Sequence, residues 1–267
     1  NRVGSDGSTV LVTDASQSDL RTGGGNGAIV LRSTGGAISL SDGANADGVA
    51  ISAHGSGNVL VQTLGANQDI TAGANADVLS SSGNISLLGA GSVVFNAGAD
   101  IRTSSTGAGS GSIDVLAGSG AITQDASSAL VSTGAAATAR LQAATGVTVG
   151  DIALNDGAVS ISAVTGSIVD ADALVEGAND ADQDISAAAL RLVAGSGVGQ
   201  SLNHLETSVA TLSALAGNGG VYLLEADAVS VGAVGLSINR VGSDGSTVLV
   251  TDASQSDLRT GGGNGAI

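Results

Sequence analysis

Along most of the chain, apolar and polar residues alternate in short runs that a glycine opens. The phrase Gly-x-(Ile/Val)-x-(Leu/Ile/Val) occurs as Gly36-Ala37-Ile38-Ser39-Leu40, Gly83-Asn84-Ile85-Ser86-Leu87, Gly111-Ser112-Ile113-Asp114-Val115 and Gly157-Ala158-Val159-Ser160-Ile161. A period of two places the apolar members on one side of a strand. The phrases often pair nine residues apart: Gly27 with Gly36, Gly48 with Gly57, Gly111 with Gly120, and Gly157 with Gly166. Gly27 to Gly48 is 21 residues and Gly111 to Gly157 is 46, so the turn length reads as about 23. Less regular members lie at Ala189–Leu192 with Gly197–Val198, and at Val221–Leu223 with Val229–Val231. Leu202, Leu205, Val209 and Leu212 have helix-like spacing, but the same stretch reads as two strands and a turn, and strands are the preferred reading.

A repeat of this size with two or three short strands cannot bury its apolar side alone, so turns must stack and pair in parallel. Gly, Asn, Ser and Asp mark the corners. The predicted fold is all-β, a single right-handed parallel β-helix of roughly ten turns per 238-residue unit; the hand follows from that of parallel crossovers. Longer intervals such as 171–185 (ADALVEGANDADQDI) read as corner loops.

The unit length comes from a second, exact repetition. Residues 239–267 repeat residues 1–29, NRVGSDGSTVLVTDASQSDLRTGGGNGAI, without a difference. Identity over that length points to a tandem array sampled for one period plus an overlap, so residues 1–238 are read as one complete unit and 239–267 as the start of the next, continuous with the first. The absence of Met fits an internal segment. An array of this kind implies one unbroken coil, with Val248 and Val250 in the interior across Leu236 to Val250. Neighbouring identical repeats are the expected partners, with lateral or end-to-end self-association between fibres.

Composition narrows the class. Gly supplies 43 of 267 residues, about twice the usual share, without the Gly-X-Y period of collagen. Aromatic residues amount to Phe95 and Tyr222, so the interior must be narrow and built from Ala, Val, Ile and Leu. Cys, Pro and Lys are absent, which removes disulfides and thiolate metal sites. The net charge of −16 argues against a nucleic-acid partner. No apolar run is long enough for a membrane span.

The phrases GSIDVLAGSGAITQD, TARLQAATGVTVGDI, GAVSISAVTGSIVDAD and LRLVAGSGVGQSLNHLETSVATLSALAGNGGVYLLEADAVSV resemble the repeats of giant bacterial exoproteins. These are the filamentous-haemagglutinin-like proteins of two-partner secretion and their autotransporter relatives. The resemblance implies a right-handed β-helix, export across a Gram-negative outer membrane, a secreted or cell-surface location, and a role as stalk, extracellular fibre or adhesin in adhesion, aggregation or biofilm, with a host or cell-surface receptor left unidentified. A uniform 238-residue period departs from the irregular repeats usual in that family.

Candidate chemistry is sparse, and the chain reads as no enzyme, with no catalytic residues and no cofactor. His54 and His204 fall about six turns apart, near 30 Å, too far to share one metal. A carbohydrate-active β-helix enzyme is the weaker alternative, since neither Lys nor Trp is present to serve a lyase or line a sugar cleft. Calcium is the one candidate ligand, making a calcium-dependent surface-layer or adhesin module the other alternative. Asp180, Asp182 and Asp184 gather three carboxylates in five residues, oxygen ligands of the kind a hard cation takes. Asp42–Asp47 is a milder version. Neither follows the EF-hand or nonapeptide spacing, and solvated acidic corners are the plain expectation for both.

Overall fold

The computed structural model describes residues 1–14, 17–104, 111–172 and 183–267. Among the described residues it holds 29 strands and no helix. The chain is a parallel β-helix in which each turn lays one strand on each of three faces. Face 1 runs through Ile29–Ser33, Val59–Thr63, Ile85–Gly89, Ile113–Ala117, Thr138–Ala143 and Ala158–Ala163. Face 2 is an eight-stranded sheet from Ile38–Leu40 to Gly220–Val221. Face 3 runs from Leu20–Arg21 and Val49–Ala53 to Asp151–Leu154. In the last two turns the strands Ile185–Ala194 and Leu205–Ala216 pass from face 3 to face 1 without a break. The stretch around Leu205 is therefore strand rather than helix, but it is one unbroken strand, Leu205–Ala216, in place of the two strands and a turn read from the sequence.

Eight turns are complete, with a partial one at each end, close to the ten anticipated. Their length varies from 19 residues (Leu212 to Val231) to 31 (Val159 to Leu190), because corner loops differ while the three faces keep their register. Gly111 to Gly157 spans two turns, as read. Gly27 to Gly48 does not span one: Gly27 precedes face 1 and Gly48 precedes face 3 of the same turn. Of the nine-residue pairs, Gly27/Gly36, Gly111/Gly120 and Gly157/Gly166 mark the entries to faces 1 and 2 of one turn.

Register explains why the phrase repeats. Val59, Ile85, Ile113, Ala139, Val159, Leu190 and Leu212 stack in one interior column, and Val61, Leu87, Val115, Leu141, Ile161, Leu192 and Ala214 in the next. Face 2 supplies Ile38, Ile70, Val93, Ile122, Val147, Ile168, Val198 and Val221. All of these are buried. The glycine before face 1 is a matter of clearance: a Cβ on Gly83 would sit 2.2 Å from the Gly57 carbonyl oxygen, and one on Gly57 2.3 Å from that of Gly27. Rungs about 4.8 Å apart leave no room for a side chain directed along the axis.

The junction between units departs from the expected continuous coil. Ser230–Val231 starts a ninth rung on face 1, paired with Thr211 and Leu212, and Leu258–Thr260 completes it, paired with Ala214 to Ala216. Between them the chain leaves the coil as an antiparallel hairpin, Val234–Val241 against Thr247–Gln255. Val248 is 63% exposed rather than interior, and Val250 is half-buried. The polar turn Gly242-Ser243-Asp244-Gly245 causes this. Gly245 donates to the Gly242 carbonyl (3.0 Å) with φ +79°, and Asp244 Oδ1 accepts from Ser246 N (3.0 Å), which closes a hairpin instead of a corner. Nor does the cross-section repeat: Leu20 lies on face 3 and its identical counterpart Leu258 on face 1, each pairing with the rung beside it.

The columns should dominate stability. Leu141→Ala, between Val115 and Ile161, is expected to cost about 2–5 kcal/mol by denaturant titration. A loss well under 1 kcal/mol would mean that the column is not a closed core.

Candidate functional site: a docked hairpin and a buried carboxylate cluster

Outward positions on face 1 should be solvated, yet several are buried. Their ladder reads Val30, Leu60, Ser86, Asp114, Arg140, Ser160, Arg191, Ser213, and Ser86, Asp114, Ser160 and Ser213 are fully buried. The hairpin covers them. Its first strand crosses six successive face 1 rungs, running from the last turns back toward the first. Two strand residues span about 6.7 Å against about 4.8 Å per rung, so the crossing is oblique. This matches Asn239 N donating to Ser112 Oγ (3.1 Å) and Val241 N to Ser86 Oγ (2.9 Å), two residues and one rung apart.

Charge fixes the seat. Asp114 accepts from Arg140 Nη1 (3.3 Å) and from Arg240 Nε of the hairpin. Asp252 returns the arrangement from the second hairpin strand, accepting from Arg140 Nε (3.0 Å) and Ser160 Oγ (2.7 Å). Arg191 Nε donates to the Ala253 carbonyl (3.0 Å), and Asn58 Nδ2 to that of Gly245 (2.9 Å). Val241 closes a small apolar cluster with Leu60, Leu88 and Leu116. A carboxylate as buried as Asp114 is tolerable because two guanidinium groups flank it.

Residues 1–14 provide an internal comparison. Arg2–Val3 pair with Thr9–Val10 in the same register that Arg240–Val241 adopt with Thr247–Val248, and Gly4, Asp6 and Gly7 close the same turn. Val3 is 67% exposed, whereas its counterpart Val241 is 1% exposed. One sequence thus forms one hairpin twice, once free and once docked.

The second feature lies where face 2 turns into face 3. Of the three predicted calcium ligands, Asp180 and Asp182 lie outside the described residues. Asp184 is described and is buried, not solvated. Its carboxylate, with those of Asp170 and Glu206, forms a group whose oxygens lie within 4.8 Å of one another. Asp170 ends a face 2 strand, and Asp184 and Glu206 precede the registered pair Ile185 and Thr207, so rung stacking brings them together. Sequence reasoning missed Asp170 and Glu206. Only the register, which places the residue before Thr207 over the residue before Ile185, could have found Glu206.

Asp184 Oδ2 accepts from Glu206 N (2.8 Å); Asp170 accepts from Asp172 N (2.9 Å) and Asn203 Nδ2 (2.9 Å). Burial pushes the Asp184 carboxyl up to about 10, and the adjacent Asp170 carboxylate adds to the rise despite the opposing Glu206 amide. Burial also raises Asp170. Both shifts point the same way, so the pair favours keeping a proton. The cavity beside them, bounded by Gly150, Asp151, Asp172 and Gln183, is about 10 Å³, enough for one water or bare cation and far too small for a sugar. His54 bonds the Gly25 carbonyl through Nδ1 and His204 packs against Tyr222, six turns apart, so the structure does not bring them together. Among the described residues no helix is long and apolar enough to cross a membrane.

Compared with protein-family models, curated proteins and solved structures, the chain matches none.

Two outcomes follow from the cluster. An unfolded Asp titrates near 4, so between that pH and about 10 the folded chain binds the extra proton and stability falls as pH rises. Asp184→Asn should remove part of this slope and melt higher than the parent at pH 8; identical slopes would contradict the retained proton. Because that proton already neutralises part of the cluster, millimolar calcium and excess chelator should give the same melting temperature at pH 7. A calcium-dependent rise of several degrees would establish ligation instead.

Proposed function

We propose that this chain is a non-catalytic structural unit of a tandem array, the shaft of a secreted or cell-surface stalk, fibre or adhesin. One observation carries the reading: the segment that opens a unit, repeated identically, is seated on the outer face of the unit before it. Such seating stiffens a junction that would otherwise be a free linker. A parallel β-helix has no intrinsic end, so units add length along one axis. The polar outer surface and net charge of −16 keep a long body soluble. The resemblance of the phrases to exported bacterial repeats supports the cell-surface location. The calcium-dependent module is the second reading, favoured only by the Asp170, Asp184 and Glu206 group.

Chains of two, four and eight units should scatter X-rays as rods whose length grows linearly by roughly 40–50 Å per unit, from about 4.8 Å per rung. Growth as the square root of unit number would indicate beads on flexible linkers and refute the shaft.

A further inference from the structure

The seated hairpin has two edges, and only one is used. Along its first strand, Asn239 N and Val241 N donate to Ser112 and Ser86 of face 1. In an antiparallel pair, residues that turn their N–H away from the partner strand do so in facing pairs. Leu249 and Thr247, opposite Asn239 and Val241, therefore point N–H and C=O outward on the other edge, as does Thr251 opposite Ser237. Among the described residues no strand pairs with that edge. The next outward carbonyls on either side are taken, that of Gly245 by Asn58 Nδ2 and that of Ala253 by Arg191 Nε. The open stretch is thus Thr247 to Thr251, centred on Leu249.

Thr247-Val248-Leu249-Val250-Thr251 reads the same in both directions, so its best antiparallel complement is itself. We propose that this edge is a lateral docking site for the same edge of a second copy of this chain, with Leu249 opposite Leu249. In that register each outward N–H meets an outward C=O, Thr247 lies on Thr251, and Val248 lies on Val250. These are residues that favour strands and pair well across them. The guards usual on an edge strand are missing. The chain has no Lys and no Pro, and the only charge of Thr247–Gln255, Asp252, is turned onto Arg140 and Ser160. Val248 and Leu249 project to opposite sides of the strand and are 63% and 65% exposed, so its centre stands clear of face 1. The edge lies between the rungs of Asn58 and Ser160, on the flank of the coil rather than at an end of the stack.

The contact is isologous and closes as a dimer. It is also small, so it should be weak, with a dissociation constant between about 10 μM and 1 mM. Residues 9–13 repeat the run, so every variant carries Leu11→Pro to silence that copy. The mass of this chain by light scattering should rise toward two chains across that range. Leu249→Lys and Leu249→Glu, each setting like charges together on the twofold axis, should stay at one chain. An equimolar mixture of the two should dimerise again, because Lys then faces Glu. Leu249 is exposed, so neither change threatens the fold, and circular dichroism checks this. A Leu11→Pro chain still monomeric at about 1 mM, a Lys variant that dimerises, or a mixture that does not, would overturn the proposal.

Cysteine cross-linking reads the register directly, since no native Cys interferes. A Val248→Cys chain mixed with a Val250→Cys chain should give a disulfide-linked dimer, because those positions face each other closely. Val248→Cys alone should not, its two copies being offset by two residues. Cross-linking of Val248→Cys to itself, with none to Val250→Cys, would mean another register and sink the inference. The inference rests on the hairpin's open edge and not on a cell-surface role, so its failure would leave the rod-like shaft standing.

Discussion

Backbone pairing between successive turns, residue over equivalent residue, is the constraint on which this protein depends. Each rung alone has a few strands, most of two to six residues, and no core. Stacked in register, the same rungs turn isolated Ile, Val and Leu positions into continuous columns, with carbonyl and amide groups paired above and below. Everything unusual in the composition follows from that geometry. The cross-section is too narrow for many aromatic residues, and Phe95 is the only Phe in the chain. Glycine stands where a rung passes within reach of its neighbour's carbonyl.

The same register acts on polar residues. Stacking places Asp114 beside Arg140 and Arg140 beside Ser160 on the outside, and Asp184 beside Glu206 inside a corner. The outcomes differ because the surroundings differ. Outside, two arginines compensate the carboxylate and a docked strand keeps water away. In the corner the described partners of Asp170 and Asp184 are amides and other carboxylates, and a retained proton supplies the compensation. A β-helix column thus amplifies whatever residue type it repeats.

Much of the fold was legible because it is written in a period-two pattern that tertiary context does not override. The faces, the interior side of each strand and the glycine corners at Gly27, Gly111 and Gly157 are all readable as text. The turn length was less so, since corner loops of different size displace Gly48 from the place a fixed repeat assigns it. The junction was not legible as a coil interruption. Val248 and Val250 keep the period-two spacing of core residues, with Leu249 between them, and their fate is decided by the turn at Asp244 and Gly245, which closes a hairpin. The buried carboxylates were half visible: Asp184 stood out in an acidic run, whereas Glu206 is an isolated acid whose position only the stacking register reveals.

The hairpin also stores length. It leaves and re-enters the coil on one rung, between Val231 and Leu258, so the 26 residues 232–257 hang from two points that sit side by side. Drawn straight, they amount to roughly 90 Å of chain. Under tension along the axis, peeling this segment from face 1 would pay that slack out while every complete turn stays paired. The molecule therefore carries an extensible element in series with a stiff one, and the ion pairs of Asp114 and Asp252 set the force at which it yields.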